Sequence, residues 1–384
     1  EDLLTLIYTS GTTGNPKGVQ LTHGNLVHNV VPSAERAPIA GDDFALEFLP
    51  LCHVFERMLG YLYMYAGATK AYCSVYHVGD QVAGIRPTVF AGVPRFYEKV
   101  YDKVQDKVST APPIRRALFN WAVEQGRKAY PKRLAGKSPG GLGYGLADKL
   151  VLSKIREALG GRVRFCVSGG APLPKFVNEF FQSIGIWILE GYGLTETSPV
   201  VGVNGAHPGM TRLGTIGLPL ENVEAKIADD GELLVRGPSV MQGYWNLPEK
   251  TAEVFNDEGF FHTGDIAEID DDGFIRITDR KKDLIVTAGG KNVAPQPIEN
   301  ELKRSPLIDN TVLIGDQRPF IIALISPSEE GLETWKVANG LEDQSTEQLS
   351  SHPRLLAEYE KVINETNDGL ARYEGHSDVE HHDH

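Results

Sequence analysis

Residues Tyr8 to His23 read YTSGTTGNPKGVQLTH, a glycine- and hydroxyl-rich loop placed directly after the apolar run LLTLIY. Gly11, Gly14 and Gly18 let a backbone turn tightly and bring its N–H groups close to an anion. Thr9, Ser10, Thr12 and Thr13 add hydroxyl donors, and Lys17 adds a mobile positive charge on a long stem. Together these residue types point to phosphate. An ordinary surface turn explains such a loop when the glycines stand alone, and explains it less well when four hydroxyls and a lysine accompany them. The spacing is not GxxxxGK[ST], because Asn15 and Pro16 separate Gly14 from Lys17. A P-loop kinase or GTPase is therefore disfavoured.

Four further segments carry groups of the same kind. SGGAP, Ser168 to Pro172, follows an apolar run, and its glycines permit close backbone approach to a ligand; many strand-to-helix turns look alike. EGYGLTET, Glu190 to Thr197, sets Tyr192 between two glycines, which leaves a ring face open for stacking. Thr195 and Glu196 then place a hydroxyl beside a carboxylate, a donor set that suits Mg²⁺ shared with phosphates. HTGD, His262 to Asp265, and DRKKD, Asp279 to Asp283, read as polar turns flanking FIRIT. An Asp there can accept from both hydroxyls of a ribose, although a solvated charged face accounts for either motif taken singly.

These loops need a scaffold that ends several strands at one edge. Up to about Gly191, strand-like runs (ALEFLPL, KAYCSV, TVFAGV, RVRFCVSGG, IWILEGYG) alternate with helical patterns (HVFERMLGYLYMYAG, PRFYEKVYDKVQDKV, PKFVNEFFQSIG). That alternation predicts a parallel sheet covered by helices, whose strand exits bind ligands. From Leu213 to Arg280, short strands separated by turns such as DDG predict a small, mostly antiparallel sheet or distorted barrel. After Asp283 a smaller α/β unit follows. The expected fold class is α/β, with a large domain over 1–281 and a smaller C-terminal domain over 282–384.

Composition bounds the rest. A chain of 384 residues with 41% hydrophobic content has a sizeable core and more than one domain. Its net charge of −13, with no long basic block, argues against nucleic acid and anionic membrane as main partners through bulk electrostatics. Membrane contact is expected to be peripheral at most, at the inner membrane face of a cytoplasmic protein. Cys52, Cys73 and Cys166 form no CxxC and are expected as reduced thiols in the core.

Taken in order, YTSGTTGNPKG, SGGAP, EGYGLTE, GELLVRGPSVMQGYWN, FFHTGD and DRKKDLIVTAGGKNVAPQPIENEL resemble the adenylate-forming superfamily of acyl-CoA synthetases, luciferases and peptide-synthetase adenylation domains. PLCHVFERM and DRKKDLIVTAGGKNVAPQPIEN look most like the AMP-forming long-chain fatty acyl-CoA synthetases. The resemblance implies ATP, Mg²⁺ and CoA as cofactor and co-substrates. It implies that Thr9, Ser10, Gly11, Thr12, Thr13, Gly14 and Lys17 clamp the β- and γ-phosphates. Gly170, Ala171 and Pro172 would line adenine and ribose, and Tyr192 would stack on adenine. Thr195 would touch phosphate and Glu196 would hold Mg²⁺. Asp265 and Arg280 would take the ribose, Lys282 would lie at the interdomain hinge, and Gly289 and Gly290 would line the pantetheine channel. His53 would stand beside the acyl pocket, or else serve as a packing histidine.

The implied reaction is acyl-AMP formation with release of pyrophosphate, then displacement of AMP by the CoA thiolate. Two departures qualify it. The chain opens at Glu1-Asp2, well inside the family's large domain, and no GK pair follows Gly290-Lys291; Lys336 and Lys361 lie in polar helical contexts. The expectation is a fragment shortened at both ends and weak as a catalyst. The alternatives are a fatty acyl-AMP ligase that loads a carrier protein, and a non-catalytic nucleotide-binding fragment.

Overall fold

Strand β1 (Leu3–Thr9) and strand β2 (Lys17–Thr22) form an antiparallel hairpin in which Thr9 pairs with Lys17. The two ends of the hydroxyl-rich loop are thereby held side by side. The computed structural model describes residues 2–9, 15–368 and 370; Ser10, Gly11, Thr12, Thr13 and Gly14 lie outside the described residues, as does the histidine-rich end. Helix α1 (His23–Arg36) begins where β2 stops, because Thr22 and Asn25 cap each other's backbone N–H groups. The Asn25 amide also donates to the carbonyls of Pro238 and Val240, at 2.8 and 2.9 Å. A local helix start is thus tied to a loop far along the chain.

The predicted alternation follows: β3 (Phe44–Glu47), α2 (Val54–Ala66), β4 (Thr69–Tyr72), α3 (Val78–Ile85), β5 (Val89–Gly92), α4 (Pro94–Ser109), α5 (Pro113–Leu134), α6 (Leu142–Ala147), α7 (Ser153–Glu157), β6 (Phe165–Ser168), α8 (Lys175–Ser183), β7 (Trp187–Gly193), β8 (Val200–Val203) and β9 (Leu218–Pro219). These strands make a seven-stranded sheet in the order β4-β3-β5-β6-β7-β8-β9. It is parallel from β4 to β7 and antiparallel beyond. Both faces are buried, as a parallel sheet requires. Val89, Ala91, Phe165 and Leu189 point into one apolar cluster with α1 and α2, while Phe90, Cys166 and Ile188 point into another with α4, α5 and α8. The second cluster is rich in edge-to-face rings, among them Tyr97 against Phe181.

Shorter elements follow: β10 (Glu224–Ile227), β11 (Glu232–Arg236), β12 (Gly243–Tyr244), α9 (Pro248–Ala252), β13 (Phe261–Ile269) and β14 (Ile275–Arg280). Strand β12 adds to the hairpin, giving a β1-β2-β12 sheet, and the others form a sheet in the order β10-β11-β13-β14. HTGD and the start of DRKKD are therefore strand residues, not turns. Along β13 the side chains alternate, with Phe261, Thr263 and Asp265 buried and His262 half-exposed. A polar inward residue and a glycine concealed that period of two in the sequence. Free thiols also depart from expectation: Cys166 is buried, but Cys73 is half-buried and Cys52 exposed.

The chain divides into two units, Glu1–Thr263 with Ala267–Ile277, and Gly264–Ile266 with Thr278–His384. The second contains β15 (Ile285–Val286), β16 (Asn292–Val293), α10 (Pro295–Leu302), β17 (Ile308–Ile314), β18 (Ile322–Pro327), α11 (Glu329–Asn339), α12 (Thr346–Ser350) and α13 (Pro353–Asn367). Strands β17 and β18 pair antiparallel. Ile298, Leu302, Leu313, Leu349, Leu355 and Tyr359 bring its helices and strands into a core of its own. Among the described residues, no helix is long and apolar enough to cross a membrane.

Candidate active site

A cavity of about 350 Å³ lies in the first unit, between helix α2 and the sheet face that carries Val89, Phe165 and Val167. Its interior is mostly apolar, lined along α2 by Val54, Phe55, Met58, Leu59 and Leu62, with the Glu56 carboxyl of the same helix among them. Its rim is made by the strand exits Gly169–Gly170 and Gly191–Thr195. Glycine is required there by close approach: a Cβ on Gly193 would meet the Pro199 carbonyl oxygen at 1.8 Å, and Gly170 holds φ 86°. Phe55, in the first turn of α2, packs over Gly169, where an added Cβ would lie 3.1 Å from its ring. The N-terminal end of α2 is thus set against the rim, and its later turns run down the cavity wall.

The rim collects several of the residues singled out in the sequence. Gly170, Tyr192 and Thr195 line it, and so does His53. His53 occupies the N-cap position of α2 without a side-chain capping bond, and its side is exposed to solvent. Ala171 and Pro172 continue the exposed turn after β6 but do not line the cavity.

Glu196 sits in a short 3₁₀ turn, Thr195–Thr197, after β7. Its Oε1 accepts a 2.9 Å hydrogen bond from the phenol of Tyr244, and its backbone carbonyl accepts from Met241 N–H at 2.7 Å. The Lys17 ammonium lies 4.8 Å from the centroid of the same Tyr244 ring. Strand β12 makes this possible, since Tyr244 is in register with Val19 and Trp245 N–H donates to the Gly18 carbonyl at 2.7 Å. Burial, with the Glu196 carboxylate beside it, pushes the Tyr244 phenol well above the usual tyrosine range. Tyr244 therefore remains a hydrogen-bond donor to Glu196 at any ordinary pH. It was not identified from the residues alone, and the only sequence signal was its place in the GELLVRGPSVMQGYWN motif.

The donor set fits Mg²⁺ shared with phosphates. Glu196 gives one oxygen to Tyr244 and has further lone pairs to offer. Among the described residues, no group of three His, Cys, Asp or Glu side chains gathers to hold a metal. A hard cation held by one protein carboxylate and by phosphate oxygens is the usual arrangement for Mg²⁺.

Two more carboxyl groups are buried near the sheet. Glu56, on the cavity wall, is pushed up to about 8 by burial and then by neighbouring Glu47, against backbone N–H bonds from Leu49 and Phe48. Glu190 in the middle of β7 is pushed up to about 7 by burial, while the Asn178 amide donates to its Oε1 at 2.7 Å.

In the second unit, Asp265 is buried and the Arg280 Nε lies 2.9 Å from its Oδ1. Lys281 N–H donates to the Gly264 carbonyl at 2.9 Å, which fixes the two segments together. Lys282 follows β14, half-exposed, with its Nζ 4.0 Å from Asp283 Oδ1. Gly289 and Gly290 form the exposed turn between β15 and β16, Gly290 at φ 70° with its N–H donating to the Thr287 carbonyl. The first unit thus brings together Thr9, Lys17, Glu196 and the rim residues, and the second brings together Asp265 and Arg280.

Residues 1–245 match the family model of AMP-binding enzymes, and residues 282–374 match that of the AMP-binding enzyme C-terminal domain. The long-chain-fatty-acid–CoA ligase FadD15 of Mycobacterium bovis is 40% identical over 376 residues, which covers 95% of this chain and 61% of that protein. The peroxisomal long chain acyl-CoA synthetase 7 of Arabidopsis thaliana is 35% identical over 373 residues, covering 92% of this chain and 52% of that one. Among solved structures, ATP-bound MatB from Rhodopseudomonas palustris superposes with a TM-score of 0.67 at 26% identity, over 97% of this chain and 63% of that one. The chain spans about three fifths of the length of the bacterial relative.

Proposed function

The chain belongs to the AMP-binding enzyme family, and from that premise we propose that it carries the nucleotide and acyl sites of an ATP-dependent long-chain fatty acid–CoA ligase. One observation supports this reading above the others. An apolar cavity opens at the same rim where Thr195 stands next to Glu196, and Glu196 is joined through Tyr244 to Lys17. An alkyl chain in the cavity would present its carboxylate at the groups suited to a triphosphate.

The proposed chemistry has two steps. The carboxylate oxygen attacks the α-phosphorus, a P–O bond forms, and the bond to the β-phosphate oxygen breaks to release pyrophosphate. The CoA thiolate then attacks the acyl carbon and expels AMP. Carboxylate is a poor nucleophile, so the protein's contribution is in-line placement and charge neutralisation. Lys17 and the hydroxyls from Thr9 to Thr13 would hold the β- and γ-phosphates. Tyr192, with Gly170, Ala171 and Pro172, would hold adenine, and Asp265 and Arg280 would hold the ribose. Glu196 would hold Mg²⁺, which when bound supplies charge neutralisation on the phosphates. Lys282 would serve as the pivot and Gly289–Gly290 as the pantetheine lining. His53 would border the acid's carboxylate end.

The test is pyrophosphate release measured across acids of increasing length, with CoA, with holo-carrier protein, and with neither. Release that requires a long-chain acid, with AMP and acyl-CoA formed only when CoA is added, is the expected result. Loading of the carrier instead of CoA replaces the acceptor. ATP binding with no pyrophosphate exchange, or ADP as the product, overturns the reading.

A further inference from the structure

The chain's net charge of −13 conceals a segregation of sign. Between Pro94 and Arg164 there are 16 Lys and Arg against 6 Asp and Glu, a formal +10, so the remaining residues carry −23. Much of that excess lies in one layer of the fold, although Arg164 pairs with Asp43 and Arg156 with Asp148. The segment is the helical layer α4–α7, which covers the sheet face carrying Phe90, Cys166 and Ile188.

Helix α5 shows how the layer is oriented. Phe119, Ala122, Val123, Gly126 and Ala129 are buried. A Cβ on Gly126 would lie 2.0 Å from the Ser183 carbonyl oxygen, so this face is seated directly on the end of α8. Arg115, Arg116, Arg127, Lys128 and Lys132 on the same helix are exposed; Lys128 and Lys132 lie on the side away from the buried face, with Lys128 3.4 Å from Glu124. The same helical layer carries aliphatic side chains left exposed by the described residues. Ile114 is 83% exposed and Leu142 is 97% exposed. Leu142 and Leu146, four residues apart in α6, are exposed on one helical face, and Leu150, in the π-helical turn Asp148–Leu152 that follows, is exposed as well.

Basic side chains surrounding exposed aliphatic ones are what an interfacial helix uses on a lipid surface: the charges seek anionic headgroups and the aliphatic groups enter the acyl boundary. We propose that the α4–α7 layer docks on an anionic lipid bilayer, with Ile114 and Leu142 entering it and the Arg115–Arg116 and Lys128–Lys132 cations engaging headgroup phosphates. Nucleic acid fits less well. Every large apolar side chain exposed in this layer is aliphatic, and single-stranded nucleic acid is gripped by stacking on exposed rings. The strongly acidic remainder of the chain would be repelled from the same bilayer, which orients the molecule on it. The inference stands on this surface alone and does not depend on the ligase reading.

The experiment is vesicle flotation of the full chain with phosphatidylcholine, with and without phosphatidylglycerol, at low and high salt. Binding should require the anionic lipid and weaken with salt. One Lys or Arg near such a surface accounts for about fivefold in affinity. The triple variant Arg115→Gln/Arg116→Gln/Lys132→Gln should therefore bind about a hundredfold more weakly. The double variant Ile114→Ser/Leu142→Ser should lose binding while keeping the melting temperature of the parent, since both side chains are exposed. Equal binding to neutral vesicles, no binding to either, or variants that bind like the parent would overturn the proposal. So would a single-stranded oligonucleotide that displaces the vesicles and is indifferent to the Ile114→Ser/Leu142→Ser change.

Discussion

The Tyr244 phenol donates to Oε1 of Glu196 at 2.9 Å, and β12, which adds to the hairpin that bears Lys17, helps bring the two residues together. The bond gives the Glu196 carboxylate a fixed direction. Tyr244→Phe keeps the ring under the Lys17 ammonium and removes only the hydroxyl. A hydrogen bond to a charged group contributes about 1.5–3 kcal/mol, so kcat/KM for Mg-ATP should fall about ten- to a hundredfold. Glu196→Ala should fall more than about tenfold, and the double variant should be no worse than Glu196→Ala alone, because the two act as one unit. ATP–pyrophosphate exchange reads all three; an unchanged Tyr244→Phe enzyme removes this bond from the site.

Much of this was legible in the sequence, for identifiable reasons. Strands β3 to β7 announce themselves because a parallel sheet buried on both faces is written as short apolar runs between helical periods. The strand exits at Gly170 and Tyr192 were legible because close approach permits only glycine beside them. Tyr244 was not, since its significance depends on pairing with Val19 across more than half the chain. The strand character of His262–Asp265 was hidden because Asp265, an inward-facing carboxylate, breaks the apolar alternation. The basic layer was hidden by its own counterweight: a net charge sums over surfaces that the fold keeps apart.

Glu56 makes stability depend on pH in a defined direction. Its folded pKa is raised from 4.5 to about 8 by burial and by Glu47. The unfolded chain releases this proton at the lower value, so the folded form binds more protons between the two. The stabilisation from the neutral carboxyl is full below about 4.5 and is lost as pH rises through about 8. Glu56→Gln mimics the neutral form at every pH. Thermal melts should show the parent falling in Tm across that window and Glu56→Gln flattening the fall, with the largest gain at the alkaline end. Parallel curves for the two proteins would show that Glu56 ionises normally in the fold.

Two glycine substitutions should separate a structural requirement from a local habit. Gly193→Ala places a Cβ 1.8 Å from the Pro199 carbonyl oxygen, a backbone contact that cannot rotate away. It should displace β8 from β7, disturb Tyr192 and cost upwards of about 3 kcal/mol. Gly84 lies inside α3 with nothing within 4 Å of the added carbon. There Gly84→Ala should stabilise by about 0.5–1 kcal/mol through helix propensity. Urea midpoints of the two variants should move in opposite directions, and movement in the same direction would refute the geometric account.

The depth of the cavity should set the length of acid accepted, and helix α2 supplies the ruler. Phe55 sits over Gly169 at the rim, while Leu62 lies seven residues further along the same wall. At 1.5 Å per residue that is about 10 Å below the rim. Leu62→Phe puts a larger side chain at that depth, where it competes with the distal methylenes of a long chain and leaves the carboxylate end untouched. Each methylene excluded from an apolar pocket is worth about 1–3 kcal/mol. Long acids should therefore lose at least about tenfold in kcat/KM for pyrophosphate release, short acids should change little, and Leu62→Ala should shift preference towards longer chains. Both effects should appear in the KM and kcat for the acid while the KM for ATP stays constant. A uniform loss across all chain lengths would mean that the alkyl chain does not run along α2, and the cavity would then have to be assigned to another part of the substrate.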